Sequence, residues 1–316
     1  MSLKSIRTRF RAYQLDSAGS SFSYFSGGSF VLIEARLDEK NKPRISQELR
    51  HCNKESIDVL QITSWDKDHC APSQLEKILE QFEPNKIEYP GYEPKTESGK
   101  KSLKTILNYK NLKQKVKAVH ITPDYIDSLN AAKNYGYKDI VYWPKAIDAE
   151  CANNNSTIKQ FRTGCFNVLS LGDVESSQIS SLIRRSKTVY EEVDVMIMAH
   201  HGADNGFTTS AFLKRVKPTI AIVSSNYDNQ FEHPKPAIRD LLHKNNIKLF
   251  TTKTGDVLVE SLENHTSNFR VTKFKANSDE VSSQCEFTVR KAHFLKNNLD
   301  TIRDRTQHHN KGPKRR

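Results

Sequence analysis

Carboxylates and imidazoles recur at the ends of apolar runs in this sequence. Asp66, Asp68 and His69 follow IDVLQIT (57–63), and Asp173 closes FNVLSLGD (166–173). His200 and His201 end VDVMIMAHHG (193–202), and His233 lies in the loop NYDNQFEHPKP (226–236) after TIAIVSS (219–225). Carboxylate oxygen and imidazole nitrogen are the ligands of hydrolytic zinc, manganese and iron centres. Asp68 and His69 are adjacent, so both can reach one ion only where the backbone is irregular, as in a loop that follows a strand. Asp173 arrives from far along the chain and could bridge two ions. Such a pair generates hydroxide and stabilises both oxygens of an in-line displacement. His233 precedes Pro234, in a stiff loop suited to adding a nitrogen. Any one of these residues alone reads as a helix cap or an ordinary loop residue. Four strand ends in succession carrying ligand-type residues point to one convergent site.

The elements that must position them alternate between strand and helix. Residues 6–15 and 29–35 read as strands, separated by the Gly/Ser-rich turn AGSSFSYFSGG (18–28). The run 57–63 is nearly continuous in apolar residues, as expected of a strand buried on both faces. Ser73 and Glu76 have the spacing of a capping box for a helix bearing Leu75, Ile78, Leu79 and Phe82 on one face. There follow a strand at 86–90, a basic helix over 95–114 and strands at 116–122 and 139–144. CANNNST (151–157) reads as a polar loop. Further helices are expected around Ile179, Leu182 and Ile183, at 212–216 and at 238–244, with strands at 248–253, 255–261, 269–274 and 285–294. No internal repeat is evident. This pattern divides the chain into a hydrolase domain over 1–275, an extension packed on it over 276–300, and a basic, disordered tail over 301–316.

The net charge of +12 on 316 residues is concentrated in two blocks. Residues 95–117 hold eight Lys against one Glu, including Lys100, Lys101 and Lys104. Residues 287–316 hold nine Lys and Arg against two Asp, including Lys311, Lys314, Arg315 and Arg316. Such blocks suit the phosphates of a nucleic acid, DNA before RNA, or else form a solvated surface. Trp65, Tyr89, Tyr92 and Tyr109 could stack bases or pack as core, and His308 and His309 fall in the tail, where no catalytic role is expected. No apolar run approaches the roughly 20 residues of a membrane-spanning helix, and the basic N-terminus lacks the apolar run of a secretory signal. Five scattered cysteines without CxxC spacing fit a reducing, cytoplasmic setting.

Four ordered motifs carry a resemblance: SWDKDH (64–69), LSLGD (169–173), AHHGA (199–203) and FEHPKP (231–236). Over residues 6–260 they resemble the metallo-β-lactamase superfamily. In detail they are similar to the hydrolase domain of ComEC-type competence proteins and its soluble, stand-alone relatives, with their H-x-D-x-D-H, LLTGD-like, HHGS-like and GHP-like motifs. The resemblance implies an α/β fold, a four-layer αββα sandwich, with metals at the edge between its two sheets. It implies that Asp68, His69 and His233 hold one ion, that Asp66 holds another, and that Asp173 bridges them. His200 and His201 would stand beside the leaving group as general acid or phosphate ligand, with Asp68 also counted among the catalytic residues. Ser64 departs from the pattern, since the family has a histidine there, and His120 is only a weak substitute for the missing intermediate histidine. An oxygen-rich first position suits manganese or magnesium better than zinc, and it leaves room for one ion instead of two. The implied activity is a metal-dependent phosphodiesterase, foremost a DNase, in a bacterial antiviral defence or DNA-processing setting. A small-molecule hydrolase and a catalytically degenerate nucleic-acid-binding protein are the alternatives.

Overall fold

The computed structural model describes residues 6–129, 139–262 and 267–292. Three strands at the N-terminus, β1 (Thr8–Ala12), β2 (Phe22–Ser26) and β3 (Ser29–Ile33), pair antiparallel. β4 (Val59–Gln61), β5 (Lys86–Pro90) and β6 (Lys117–Ile121) then add in parallel. On the other side of β1 stand β13 (Val257–Ser261), β14 (Asn268–Phe274) and β15 (Val281–Thr288), so the sheet reads β15-β14-β13-β1-β2-β3-β4-β5-β6. The second sheet reads β12 (Lys248–Thr251), β11 (Ile220–Val223), β10 (Val195–Ile197), β9 (Val168–Ser170), β8 (Ile158–Phe161) and β7 (Ile140–Trp143). β9 to β12 run parallel, and β9, β10 and β11 are buried on both faces, which explains their nearly unbroken apolar runs.

Three apolar layers hold the sheets and helices together. Between the sheets, Phe10, Phe22, Tyr24 and Ile33 meet Phe161, Val168, Val195, Ile197 and Ile222. Outside the first sheet, Leu32, Leu60 and Ile62 pack beneath α1 (Asn41–His51), α2 (Pro72–Phe82) and α3 (Glu97–Leu112). Outside the second, Leu169, Met196 and Ala221 lie beneath α5 (Ser177–Ile183), α6 (Lys187–Glu192), α7 (Ser210–Val216) and α8 (Pro236–Lys244). A short α4 (Pro123–Leu129) touches β6 and β7, where the chain passes between sheets. The order of layers is αββα, the architecture implied by the resemblance. Among the described residues no helix is long and apolar enough to cross a membrane.

Several local expectations are corrected. The segment 18–28 is not all turn. It contains β2, whose Phe22 and Tyr24 face the inter-sheet core while Ser23 hydrogen-bonds the Tyr13 hydroxyl at 2.7 Å. Only Gly27 and Gly28 turn, with φ of 58° and 82°, the left-handed pair that a two-residue hairpin requires. The capping box at Ser73 does not form. Pro72 occupies the first helical position and Ala71 caps without a side-chain bond, because proline's preset φ starts the helix two residues earlier. The basic helix spans Glu97–Leu112, capped by Thr96, whose hydroxyl accepts from the Gly99 amide at 3.1 Å. Four further elements, α1, α4, α6 and β8, are absent from the sequence reading, and two of them, α1 and β8, bury charge at Arg44 and Glu48 and at Lys159. The expected boundary at residue 275 falls in the turn between the paired strands β14 and β15, and Val289 and Ala292 beyond it join the inter-sheet core. The 301–316 tail lies outside the described residues.

The charge buried by α1 is a network. Glu48 meets Arg9 at 2.5 Å, and Asp256, fully buried at the start of β13, accepts from Arg11 at 2.8 Å and Arg44 at 2.7 Å. The Gln14 amide donates to the same carboxylate at 2.8 Å. Removing one partner of a buried ion pair leaves an uncompensated charge at a cost of about 3–5 kcal/mol. Asp256→Ala should therefore lower the unfolding free energy by about that amount, read as a shift of the urea midpoint at unchanged slope.

Candidate metal centre

After β4 the chain folds back tightly, with the amides of His69 and Cys70 both bonded to the Asp66 carbonyl at 2.9 and 2.8 Å. The turn is held from outside by Arg36, whose guanidinium donates to the carbonyls of Lys67 (2.9 Å) and Ala18 (2.8 Å). Gly19 closes this contact: a Cβ there would stand 2.6 Å from the Asp68 carbonyl and 2.7 Å from the Arg36 guanidinium. The result is that adjacent Asp68 and His69 both turn toward the end of the second sheet.

There, β9 delivers Asp173 through Gly172 (φ 56°), and the Gly172 carbonyl accepts from the His200 amide at 2.9 Å. β10 ends in three successive left-handed residues, His200 (φ 44°), His201 (φ 52°) and Gly202 (φ 79°). For the two histidines this conformation costs roughly 1–2 kcal/mol each. Such strain persists only where surrounding structure enforces it, and it clusters at functional sites.

One donor atom each from Asp68, His69, Asp173 and His201 lies within 4.8 Å of all the others. Ligands standing about 2.0–2.2 Å from one ion would fill such a space. His69 Nε2 is 2.7 Å from Asp173 Oδ2, and His201 Nε2 is 3.2 Å from Asp68 Oδ2. The other nitrogens fix the tautomers. His201 Nδ1 lies 3.0 Å from the Ser224 carbonyl, which can only accept, so Nδ1 carries the proton and Nε2 offers its lone pair. His69 Nδ1 faces Glu34 Oε1 at 3.2 Å, and Glu34 is itself held by the Thr63 hydroxyl at 2.5 Å and the Thr63 amide at 3.0 Å. His69 Nε2 is buried and, despite the nearby Asp173 oxygen, makes no aligned hydrogen bond. A buried ring nitrogen without an aligned partner, set close against a carboxylate, is a fitting seat for a cation, so the donor set fits a divalent metal.

The electrostatics agree. Burial alone would lower the His69 pKa, but the carboxylates of Asp173, Glu34 and Asp68 outweigh it and hold the ring's pKa well above its ordinary value. Burial would raise Asp68, yet His69 and His201 pull it far below the usual carboxylate range. Asp173 is likewise lowered, because His69 overcomes the effect of its burial. Asp66 is raised by burial and then by Asp173.

The structure brings Asp68, His69, Asp173 and His201 together and leaves Asp66, His233 and His200 outside the set. Asp66 stands outside the four-donor set, bonded to the Ser64 hydroxyl at 3.2 Å. Ser64 is fully buried and also faces the Tyr92 hydroxyl at 3.5 Å. His233 is also outside the set. Its ring stacks on His201 at 6.2 Å and 10°, and burial with the neighbouring His201 and His200 lowers its pKa to about 4. His200 turns the other way, Nδ1 lying 2.7 Å from Glu175 Oε1, which also accepts from Asn153 at 2.7 Å. His120 is exposed on β6, outside the donor set. Trp65 is buried and donates to the Tyr92 carbonyl at 2.8 Å, so it packs beneath the loop and offers no face to a ligand. Lys100, Lys101 and Lys104 lie exposed on α3, where Lys100 pairs with Glu97 at 2.7 Å and Lys101 approaches Glu76 at 3.9 Å. Lys311, Lys314, Arg315 and Arg316 lie outside the described residues. Glu34, Thr63, Glu175 and Ser224 were missed. Glu34 had a signal, since it too ends an apolar run (SFVLIE), whereas Ser224 acts through its backbone and carries none.

A proton bound by His69 must leave when a cation takes its place. Metal affinity should therefore fall as pH is lowered, and binding near pH 7 should release about one proton, measured by calorimetry in buffers of different ionisation enthalpy. Asp173→Ala should remove most bound metal, measured by elemental analysis. Unchanged metal content in that variant would place the ion elsewhere.

No family model matches the chain. ComE operon protein 3 of Bacillus subtilis (strain 168) is 26% identical over 128 residues, 40% of this chain and 16% of that protein. Competence protein ComA of Neisseria gonorrhoeae is 29% identical over 107 residues, 34% of this chain and 15% of that protein. The similarity thus spans a small part of either relative's length. Among solved structures, the metallo-β-lactamase fold protein YhfI from Bacillus subtilis aligns with a TM-score of 0.46 and 13% identity, covering 81% of this chain and all of that one. The chain is therefore similar in part of its sequence to these two competence proteins, and its two helix-covered sheets stack in the order αββα.

Proposed function

We propose that this protein is a divalent-metal-dependent phosphodiesterase that cuts nucleic acid, DNA in preference to RNA. The observation that carries the reading is the four-donor cluster opening on a cleft of about 100 Å³ lined by Asp68, His200, His201 and His233. A divalent ion held by Asp68, His69, Asp173 and His201 would supply Lewis-acid polarisation of a phosphoryl oxygen and an activated water. Two imidazoles with two carboxylates suit manganese or zinc better than magnesium.

The chain's own groups divide the remaining work. Glu34 and the Ser224 carbonyl orient the two ligand imidazoles. His200, its Nδ1 directed at Glu175, keeps Nε2 as the nitrogen that can hand a proton to a leaving oxygen. His233 is neutral at physiological pH, its pKa being lowered to about 4, so it acts as a hydrogen-bonding neighbour and not as a cation. The basic helix begins beside the metal loop: Ser102 donates to the Cys70 carbonyl at 3.3 Å, and a Cβ at Gly99 would stand 3.1 Å from Trp65 Cβ. The same helix carries the exposed Lys100, Lys101 and Lys104, a basic surface that supports a polyanionic substrate.

Stripped protein reloaded with Mn²⁺, Zn²⁺ or Mg²⁺ should nick plasmid or cut oligonucleotides in at least one of the first two. Absence of cleavage with every ion would sink the nuclease reading. His200→Gln should lower kcat by roughly 10²–10⁴ while bound metal stays at the parent level, because a proton donor is lost and no ligand is. Loss of metal together with activity would make His200 a ligand instead.

Replacing Lys100, Lys101 and Lys104 by Gln should weaken binding at low salt and flatten the slope of log K against log salt by up to about three units. The rate at saturating substrate should stay constant. If the salt slope is that of the parent, the helix face is solvated surface, and a small phosphodiester becomes the better substrate.

A further inference from the structure

Phe231 is half exposed (52%), yet its ring is not isolated. It stacks on His233 at 5.8 Å and 25°, and His233 stacks on His201 at 6.2 Å and 10°. A column of three rings therefore runs outward from the donor cluster, with Phe231 at its solvent end. The same cleft is lined by Ser225, Asn226 and Asn229. Ser225 is 6% exposed, and its hydroxyl has no hydrogen-bond partner among the described residues. An aromatic platform beside a polar wall with an unused hydroxyl has the makings of a nucleobase subsite: a ring face for stacking and a hydroxyl and amide for the base edge.

Resting on the phosphodiesterase reading above, we infer that Phe231 is the stacking platform for a nucleobase next to the phosphate being cut, and that the strand there is single or frayed. Inside a duplex both faces of every base are covered by neighbours, so a base reaches Phe231 only after unstacking. A single strand has no such cost. Base–aromatic stacking is worth about 5- to 150-fold in affinity per base. The selectivity expected is for strand state and not for sequence, since every base offers a π-face.

The test uses end-labelled single-stranded oligodeoxynucleotides carrying one abasic residue, walked across the cut position, with the Mn²⁺-loaded full chain. For the parent, an abasic residue at one position should lower kcat/KM by about tenfold. Phe231→Ala should lose about tenfold on the intact strand, mainly through KM, and lose nothing further at that abasic position. Phe231→Trp should restore parental values, and bound metal should be equal in all three proteins. The same sequence as a blunt duplex should be cut with lower kcat/KM by the parent. If Phe231→Ala and the parent respond alike to every abasic position, Phe231 is not the platform, and the nuclease reading stands without it. If the parent, loaded with Mn²⁺, Zn²⁺ or Mg²⁺, cuts none of the strands, the nuclease reading falls and this inference with it.

Discussion

Like charges crowded around one imidazole govern this structure. Glu34, Asp68 and Asp173 come from three different strand ends, and all three raise the pKa of the His69 ring between them. Their repulsion opposes folding unless something positive stands at the centre. The raised pKa of His69 answers that repulsion in part, and a divalent cation would answer it more completely. The two sheets meet at this point, so the site and the closure of the sandwich at that edge share one electrostatic solution.

The backbone around the cluster carries its own cost. His200 and His201 adopt left-handed angles, and Gly19 and Gly172 stand where a Cβ would collide with neighbouring atoms. These features aim side chains that no regular strand end could aim together. The compensating stability lies elsewhere. It comes from the three apolar layers and from the buried ion pairs that tie β1, α1 and β13 together at the Arg9–Glu48 and Arg11–Asp256 contacts. A rigid frame with strain confined to the loops at one edge can hold ligand atoms in place without sacrificing the fold.

Around this centre the residues fall into distinct roles. Asp68, His69, Asp173 and His201 point at a common space. Glu34 and the Ser224 carbonyl settle which nitrogens are free. Glu175 turns His200 away from the ligand set and toward the cleft. His233 and Phe231 continue the column of stacked rings outward from His201.

Much of this was legible in the residues alone. The repeated coincidence of apolar run and ligand-type terminus nominated Asp68, His69, Asp173 and the histidine pair as neighbours, because parallel strands buried on both faces need continuous apolar sequence and must end in loops. The αββα order was implied by the resemblance that the ordered motifs carry. α1 and β8 escaped because they bury charge: Arg44 and Glu48 on one and Lys159 on the other, the last paired with Glu88 at 3.0 Å, interrupt the apolar periodicity that marks an element. Linear order could not tell which histidine completes the cluster, since His200 and His201 differ only in the direction each ring takes from a strained turn. Nor could it assign Asp66 and His233, whose distance from the donors depends on how the loops close. The residue types at the strand ends settled the chemistry available. Tertiary structure decided which of them share one space, because ligand geometry is a matter of a few ångströms between atoms more than a hundred residues apart in the chain.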